Sequence, residues 1–170
     1  MCIVQNEGGL IMVLLTREDA PDIEETKRHT PAFYNLKDLP WHDWVMPETW
    51  FKLLNINPFT GGFTMLLKVG PNNTAPVHGH VGSVEGILLE GGFGYGDDRG
   101  RAGDYVREMG GINHIPNTDD DGMVMFAVVN GPLMGYNADG SIAAVVDAKF
   151  MYGLAAAQGA ADHIEKPADW

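Results

Sequence analysis

The chain holds a single cysteine, Cys2, among 170 residues. No internal disulfide can form, so the small scaffolds that rely on disulfide staples are excluded and a reducing compartment suits the sequence. Basic residues are also scarce: 11 Lys and Arg stand against 23 Asp and Glu, a formal charge of −12. A surface of that sign repels phosphate backbones and anionic headgroups, so neither nucleic acid nor a membrane is an expected partner. No apolar run approaches the roughly 20 residues of a membrane-spanning helix. The run Leu10 to Leu15 lacks a basic flank before it and has an acidic stretch after it, which argues for an N-terminal strand or short helix over a leader. A cytoplasmic location follows as the expectation.

Long stretches of helical period are missing as well, outside an Ala-rich segment near the C-terminus. What the chain has instead is apolar content of 45% and 22 glycines, arranged as short apolar runs separated by turn chemistry. The runs are Trp50 to Ile56, Phe63 to Val69, Val84 to Leu89, Phe93 to Gly96, Asp104 to Glu108, Met123 to Val129 and Ile142 to Phe150. Between them lie turn signals such as Gly61-Gly62, Gly70-Pro71-Asn72-Asn73 and Asn137 to Gly140. This spacing predicts an all-β sandwich or barrel. The segment Tyr152 to His163 is expected to form one short helix. The length suits a single domain, divided into an arm over 1–45 that packs on the barrel, a barrel with its helix over 46–163, and a tail over 164–170. Trp41, Trp44 and Trp50 fall within ten positions and are expected to pack a core or cover a barrel end.

The chemistry centres on His78-Gly79-His80. Side chains alternate across a strand, so both imidazoles share one face, roughly 7 Å apart at Cα. A third nitrogen must come from another strand, and His114 lies where it could supply one. Three neutral imidazoles suit Fe, Zn, Ni or Cu, and ligand type alone does not choose among them. Glu85 and Glu108 compete for a further role, as ligand or as a group orienting an imidazole or a bound water. His29, His42 and His163 read as surface or local-structure residues. Asp119-Asp120-Asp121-Gly122 lacks the spacing of a calcium loop and reads as a tight solvated turn. Inward-facing Met65, Leu67, Leu88, Met125 and Ala127 are the expected pocket walls, thinned by Gly86, Gly94 and Gly96.

His78-Gly79-His80 with Glu85 and Gly92, followed by Gly103, Met109-Gly110-Gly111 and His114, resembles the two motifs of the cupin superfamily. Gly70 stands further from His78 than the motif has it, and Met109 and Thr118 replace its usual Pro and Asn. Within the superfamily the chain is similar to the small single-domain group of acetylacetone-cleaving and dihydroxyacetophenone-cleaving dioxygenases, and to the cupin of ChrR-type anti-sigma factors. Glu108, six positions before His114, fits the dioxygenases. The resemblance implies a double-stranded β-helix, a jelly-roll-like barrel. It also implies Fe(II) held by His78, His80 and His114, with Zn(II) or Ni(II) as alternatives, Glu108 in a supporting catalytic role and Glu85 as a contested fourth ligand. The activity implied is cleavage of a C–C bond in a β-diketone-like or hydroxyketone substrate with O2. The rival is a zinc-binding sensor or ligand-binding protein without dioxygenase activity. A homodimer or homotetramer is the expected assembly, since open sheet edges favour pairing.

Overall fold

The computed structural model describes residues 2–6, 9–13 and 30–170. His29 and the rest of the 14–29 stretch of the expected arm lie outside the described residues. Apart from one short helix, the regular structure among the described residues is strand, most of it in two facing sheets that do not close on one another, a jelly-roll sandwich. Strands β1 (Cys2–Asn6) and β2 (Gly9–Val13) form a separate antiparallel hairpin. The large sheet takes β3 (His42–Asp43), β4 (Thr49–Asn57), β5 (Gly62–Val69), β7 (Val84–Tyr95), β8 (Asp98–Arg101), β9 (Tyr105–Glu108) and β11 (Asn117–Val129). Its order is β3-β4-β5-β11-β7-β8, with β9 also paired to β7. The small sheet has the order β10-β6-β12-β13, from β6 (His78–His80), β10 (Asn113–His114), β12 (Leu133–Tyr136) and β13 (Ile142–Val146).

Period-two alternation sets the inner face of the large sheet. Phe63, Met65, Leu67 and Val69 of β5, Val84 and Leu88 of β7, and Met123, Met125, Ala127 and Val129 of β11 are all buried in one cluster. Burial of such side chains stabilises by about 1.5–3 kcal/mol each. The registers Met125↔Leu67 and Ala127↔Met65 keep like faces together.

Several boundaries differ from the sequence expectation. Val84 to Leu89 and Phe93 to Gly96 are one long strand, β7, because Gly91 takes a positive φ of 62° and lets the chain bend without breaking the ladder. The expected strand Ile142 to Phe150 stops at Val146. Asp147 then caps helix α1 (Ala148–Ala157), its carboxylate accepting from the Phe150 backbone N–H at 2.8 Å. The helix therefore starts and ends earlier than the expected Tyr152 to His163. Asp119 to Asp121 are not a free turn: they lie in a bulged stretch of β11 whose register shifts between Thr118 and Met123. Asp119 there pairs with Arg99 and Arg101. Strands β1, β3, β8 and β12 are not among the expected runs. The 164–170 tail packs on the body, with Ile164 buried and the Trp170 ring against Tyr152.

Candidate metal centre

The site forms where β6 runs between β10 and β12. His78 lies directly across from His114 of β10 and from Gly135 of β12, and His80 lies across from Leu133. Gly79 between them faces the other way, and the space a Cβ would take there is filled by Asn113 Oδ1 and Tyr136 OH, each 2.4 Å away. The tyrosine donates to that asparagine at 3.0 Å. Glycine is thus what allows a side-chain bridge to lie across the back of the two histidines.

Behind the site three chain segments meet backbone to backbone. A Cβ on Gly82 would fall 2.7 Å from Asn130 C and Gly131 N, one on Gly110 2.8 Å from Val81 O, and one on Gly131 2.9 Å from Gly82 N. Gly82 follows His80 by two residues, Gly110 follows Glu108 by two, and Gly131 precedes Leu133 by two. The contact fixes three site-bearing segments relative to one another.

On the front, the three imidazoles converge. His80 Nε2 is 2.8 Å from His114 Nε2, which is 3.0 Å from His78 Nε2. His78 Nδ1 donates to the Pro76 carbonyl at 3.0 Å, which leaves its Nε2 lone pair aimed at the cluster. Burial lowers the pKa of all three rings. For His80 and His114 it falls to about 4, with the neighbouring imidazoles adding to the effect of burial. The rings are therefore neutral near pH 7 and present nitrogen donors. Nitrogens bound about 2.1 Å from one ion at right angles would lie about 3.0 Å apart. The spacing seen here fits such a face, and this trio is the group among the described residues able to hold a metal ion.

The two carboxylates part company by strand parity. Val84 of β7 points inward and pairs with Glu108 of β9, while Glu85 pairs with Arg107 on the outer face. Glu85 is exposed and accepts from the Tyr105 hydroxyl at 2.7 Å. It lies apart from the histidine group, which corrects its candidacy as a fourth ligand. Glu108 is buried, with Oε2 3.7 Å from His80 Nε2. Since His80 is neutral, this contact is no ion pair; burial alone pushes the Glu108 carboxyl up to about 7.

Tyr95, which lies in the run Phe93 to Gly96 and is not among the expected site residues, joins both halves. Its ring stacks on His114 with centroids 4.8 Å apart and planes 18° apart, and its hydroxyl donates to Glu108 Oε1. It shares the parity of buried Phe93, two residues earlier, and that was the available signal. His42 and His163 stay outside the site: His42 sits beside Phe51, and His163 bonds the Leu53 carbonyl at 2.7 Å.

A cavity of about 560 Å³ opens from His78, His80 and Glu108 into the space between the sheets. Met65, Leu67, Met125 and Ala127 line it as expected. Leu88 does not; it packs in the core, toward Gly100. Gly86 and Gly94 do not thin the wall, since their missing side chains make room for Met125 and for the β8 backbone, and Gly96 serves a turn at φ 58°. Of the tryptophans, Trp44 lines the cavity and its Nε1 donates to Met151 Sδ at 3.3 Å, whereas Trp41 and Trp50 lie beneath Lys52 and Lys68.

Facing β-sheets with three imidazoles at one end of the space between them define a cupin with a candidate metal centre. Residues 29–134 match the model of the ChrR cupin-like domain, and the chain belongs to that family. Solved structures agree on the fold. An RmlC-like cupin from Ralstonia eutropha is 24% identical over 78% of this chain and 89% of its own, with a TM-score of 0.69. A cupin-like protein of unknown function from the same organism is 21% identical over 85% and 96%, at 0.70. An acetylacetone dioxygenase from Acinetobacter johnsonii is 18% identical over 81% and 99%, at 0.68. No curated protein matches the chain. No helix among the described residues is long and apolar enough to cross a membrane.

Proposed function

We propose that this cupin is a dioxygenase that uses Fe(II) and O2 to cleave a C–C bond in a β-diketone-like or hydroxyketone substrate. The observation that carries the reading is the convergence of three neutral imidazoles on an apolar cavity, with one buried carboxyl beside them. His78, His80 and His114 would hold the ion, which when bound supplies Lewis acidity and one-electron chemistry toward O2. Three protein donors would leave such an ion further positions for substrate and O2.

The protein's own part follows from Glu108 and Tyr95. A buried carboxyl on the cavity wall beside the histidines is placed for proton transfer with a bound substrate. Glu108 lines the cavity, its Oε2 is not the oxygen held by Tyr95, and it can take the acidic proton from the carbon between two carbonyls. Tyr95 OH holds the other carboxylate oxygen, Oε1, and its ring keeps His114 in plane. The apolar walls keep water from the reacting carbon.

The test is to load the protein anaerobically with Fe(II), add acetylacetone and related ketones, admit O2, and follow oxygen uptake and product acids. Uptake coupled to acid formation supports the reading, and no turnover across the panel with the metal bound overturns the substrate claim. The family match to a ChrR cupin-like domain favours one other reading, a zinc-dependent ligand-binding role. Stoichiometric zinc in the protein as purified, without oxygen uptake after exchange to iron, would establish that alternative.

A further inference from the structure

The cavity is much larger than the simplest diketone and is almost free of charge. A seven-heavy-atom diketone takes on the order of 100 Å³, about a fifth of the space. Glu108 is the one charged side chain lining it, and no Lys, Arg or Asp does so among the described residues. A carboxylate or phosphate on the substrate would be buried there without a counter-ion, at heavy cost. The polar wall residues are already engaged with the protein. Thr118 Oγ1 donates to the Gly70 carbonyl at 2.7 Å and accepts from Asn73 N at 3.0 Å, and Asn117 Oδ1 accepts from Arg99 at 2.8 Å. Tyr136 donates to Asn113, outside the cavity lining.

The remaining surface is apolar and adaptable. Met46, Met65, Met123, Met125 and Met134 line it, five of the nine methionines in the chain. Unbranched thioethers reshape around ligands of varied outline more readily than branched side chains do. The most exposed lining residues are apolar as well: Val45 is 44% exposed, Val77 41% and Phe150 41%, and Pro76, Ala143 and Ala144 are exposed too. An apolar path thus runs from the histidines to an apolar rim.

We propose that the substrate is an uncharged ketone carrying a long alkyl or arylalkyl tail, its chelating head at the histidines and its tail along the methionine wall toward the rim. This rests on the ketone-cleaving reading above and names the class of molecule that the site takes. At interior packing density the space left beyond the head is ample for a tail of about ten methylenes or more.

The experiment measures binding without turnover. Protein loaded with Zn(II), free of O2, is titrated calorimetrically with 2,4-alkanediones of increasing chain length and with a short-tailed analogue ending in a carboxylate. Kd is expected to fall about fourfold per added methylene up to about ten, and the carboxylate analogue to bind at least about 100-fold more weakly than its methyl-ended counterpart. A Kd independent of chain length, or equal binding of the carboxylate, overturns the proposal. Ala144→Trp, at an exposed rim position clear of the core, is expected to lower the ratio of long-chain to short-chain affinity by about tenfold or more; an unchanged ratio overturns the route to the rim. A flat series alongside normal O2 uptake in the iron protein sinks the tail alone. A steep series with no O2 uptake from any member supports the tail and sinks the dioxygenase reading.

Discussion

His114 stands directly opposite His78 in the antiparallel pairing of β10 with β6, and their Nε2 atoms are 3.0 Å apart. A cross-strand pair of this kind is set by backbone register, so its geometry persists when either ring is altered. Replacing His78, His80 or His114 singly with Ala is expected to leave the far-ultraviolet circular dichroism unchanged. Metal affinity should fall by more than about 100-fold, beyond the 10–100-fold loss usual for groups that only support a ligand. Metal content after dialysis against a weak chelator measures it, and retained stoichiometric metal in any of the three would remove that residue from the centre.

Glu85 and Glu108 should separate cleanly. Glu85→Gln alters an exposed hydroxyl contact and is expected to change stability by less than about 1 kcal/mol and metal affinity hardly at all. Glu108→Gln should leave metal binding within about tenfold but lower turnover by about 100-fold or more, since the amide cannot accept the substrate proton. Steady-state kinetics of the two variants, side by side, decide the matter.

The same residue gives a pH signature in the metal-free protein. The Glu108 carboxyl is raised from 4.5 to about 7 by burial, so the folded state binds the extra proton and stability falls as pH rises through that window. The loss is complete above pH 7, on the order of 3 kcal/mol. The histidines act in the opposite sense: with folded values of about 4 for His80 and His114 against 6.5, their neutral folded forms lose stability as pH falls from 6.5 toward 4. Urea unfolding of Glu108→Gln against wild type should show a difference near zero below pH 4.5 that grows to its full size by pH 8. A difference that stays constant with pH would mean the buried carboxyl is not displaced.

Tyr95→Phe keeps the ring on His114 and removes only the hydroxyl that holds Glu108. A lost hydrogen bond to a buried acceptor costs about 1–3 kcal/mol, and the acidic limb of the pH–rate profile should move upward as the carboxylate loses its donor. An unmoved profile would make Tyr95 a packing residue alone.

How much of this could be read beforehand depends on parity. An HxH pair declares its own face, so His78 and His80 were legible from spacing alone. The carboxylates were not, because Val84, Glu85, Ile87, Leu88 and Leu89 place apolar residues on both faces of β7. Ile87 and Leu89 proved half-exposed, at 47% and 48%, on the same side as Glu85. Phe150 and Met151 hid the helix start by extending the apolar run of β13, although Asp147 was a plain capping signal. Strand β12 was obscured by its brevity, four residues between Gly131-Pro132 and the Asn137 turn. Tyr95 escaped because Gly94 and Gly96 on either side of it leave no alternation from which to read a face.

Gly79→Ala tests the face behind the histidines. The new methyl would fall 2.4 Å from Tyr136 OH and Asn113 Oδ1, both at the ends of movable side chains. The expected cost is therefore one hydrogen bond and some strain, about 1–2 kcal/mol. Thermal denaturation against a Tyr136→Phe background checks this, since the penalty should shrink there once the hydroxyl is gone.

Gly82, Gly110 and Gly131 carry no functional group, touch no substrate and bind no ion, yet their backbones leave less than 3 Å for any added carbon. In a saturation library selected for activity, these three positions would look as intolerant as the histidines. A method that infers catalytic residues from mutational silence would mark them as active-site residues. Their constraint is one of volume, and it separates from chemistry by a single comparison: variants there lose the fold, whereas histidine variants keep it.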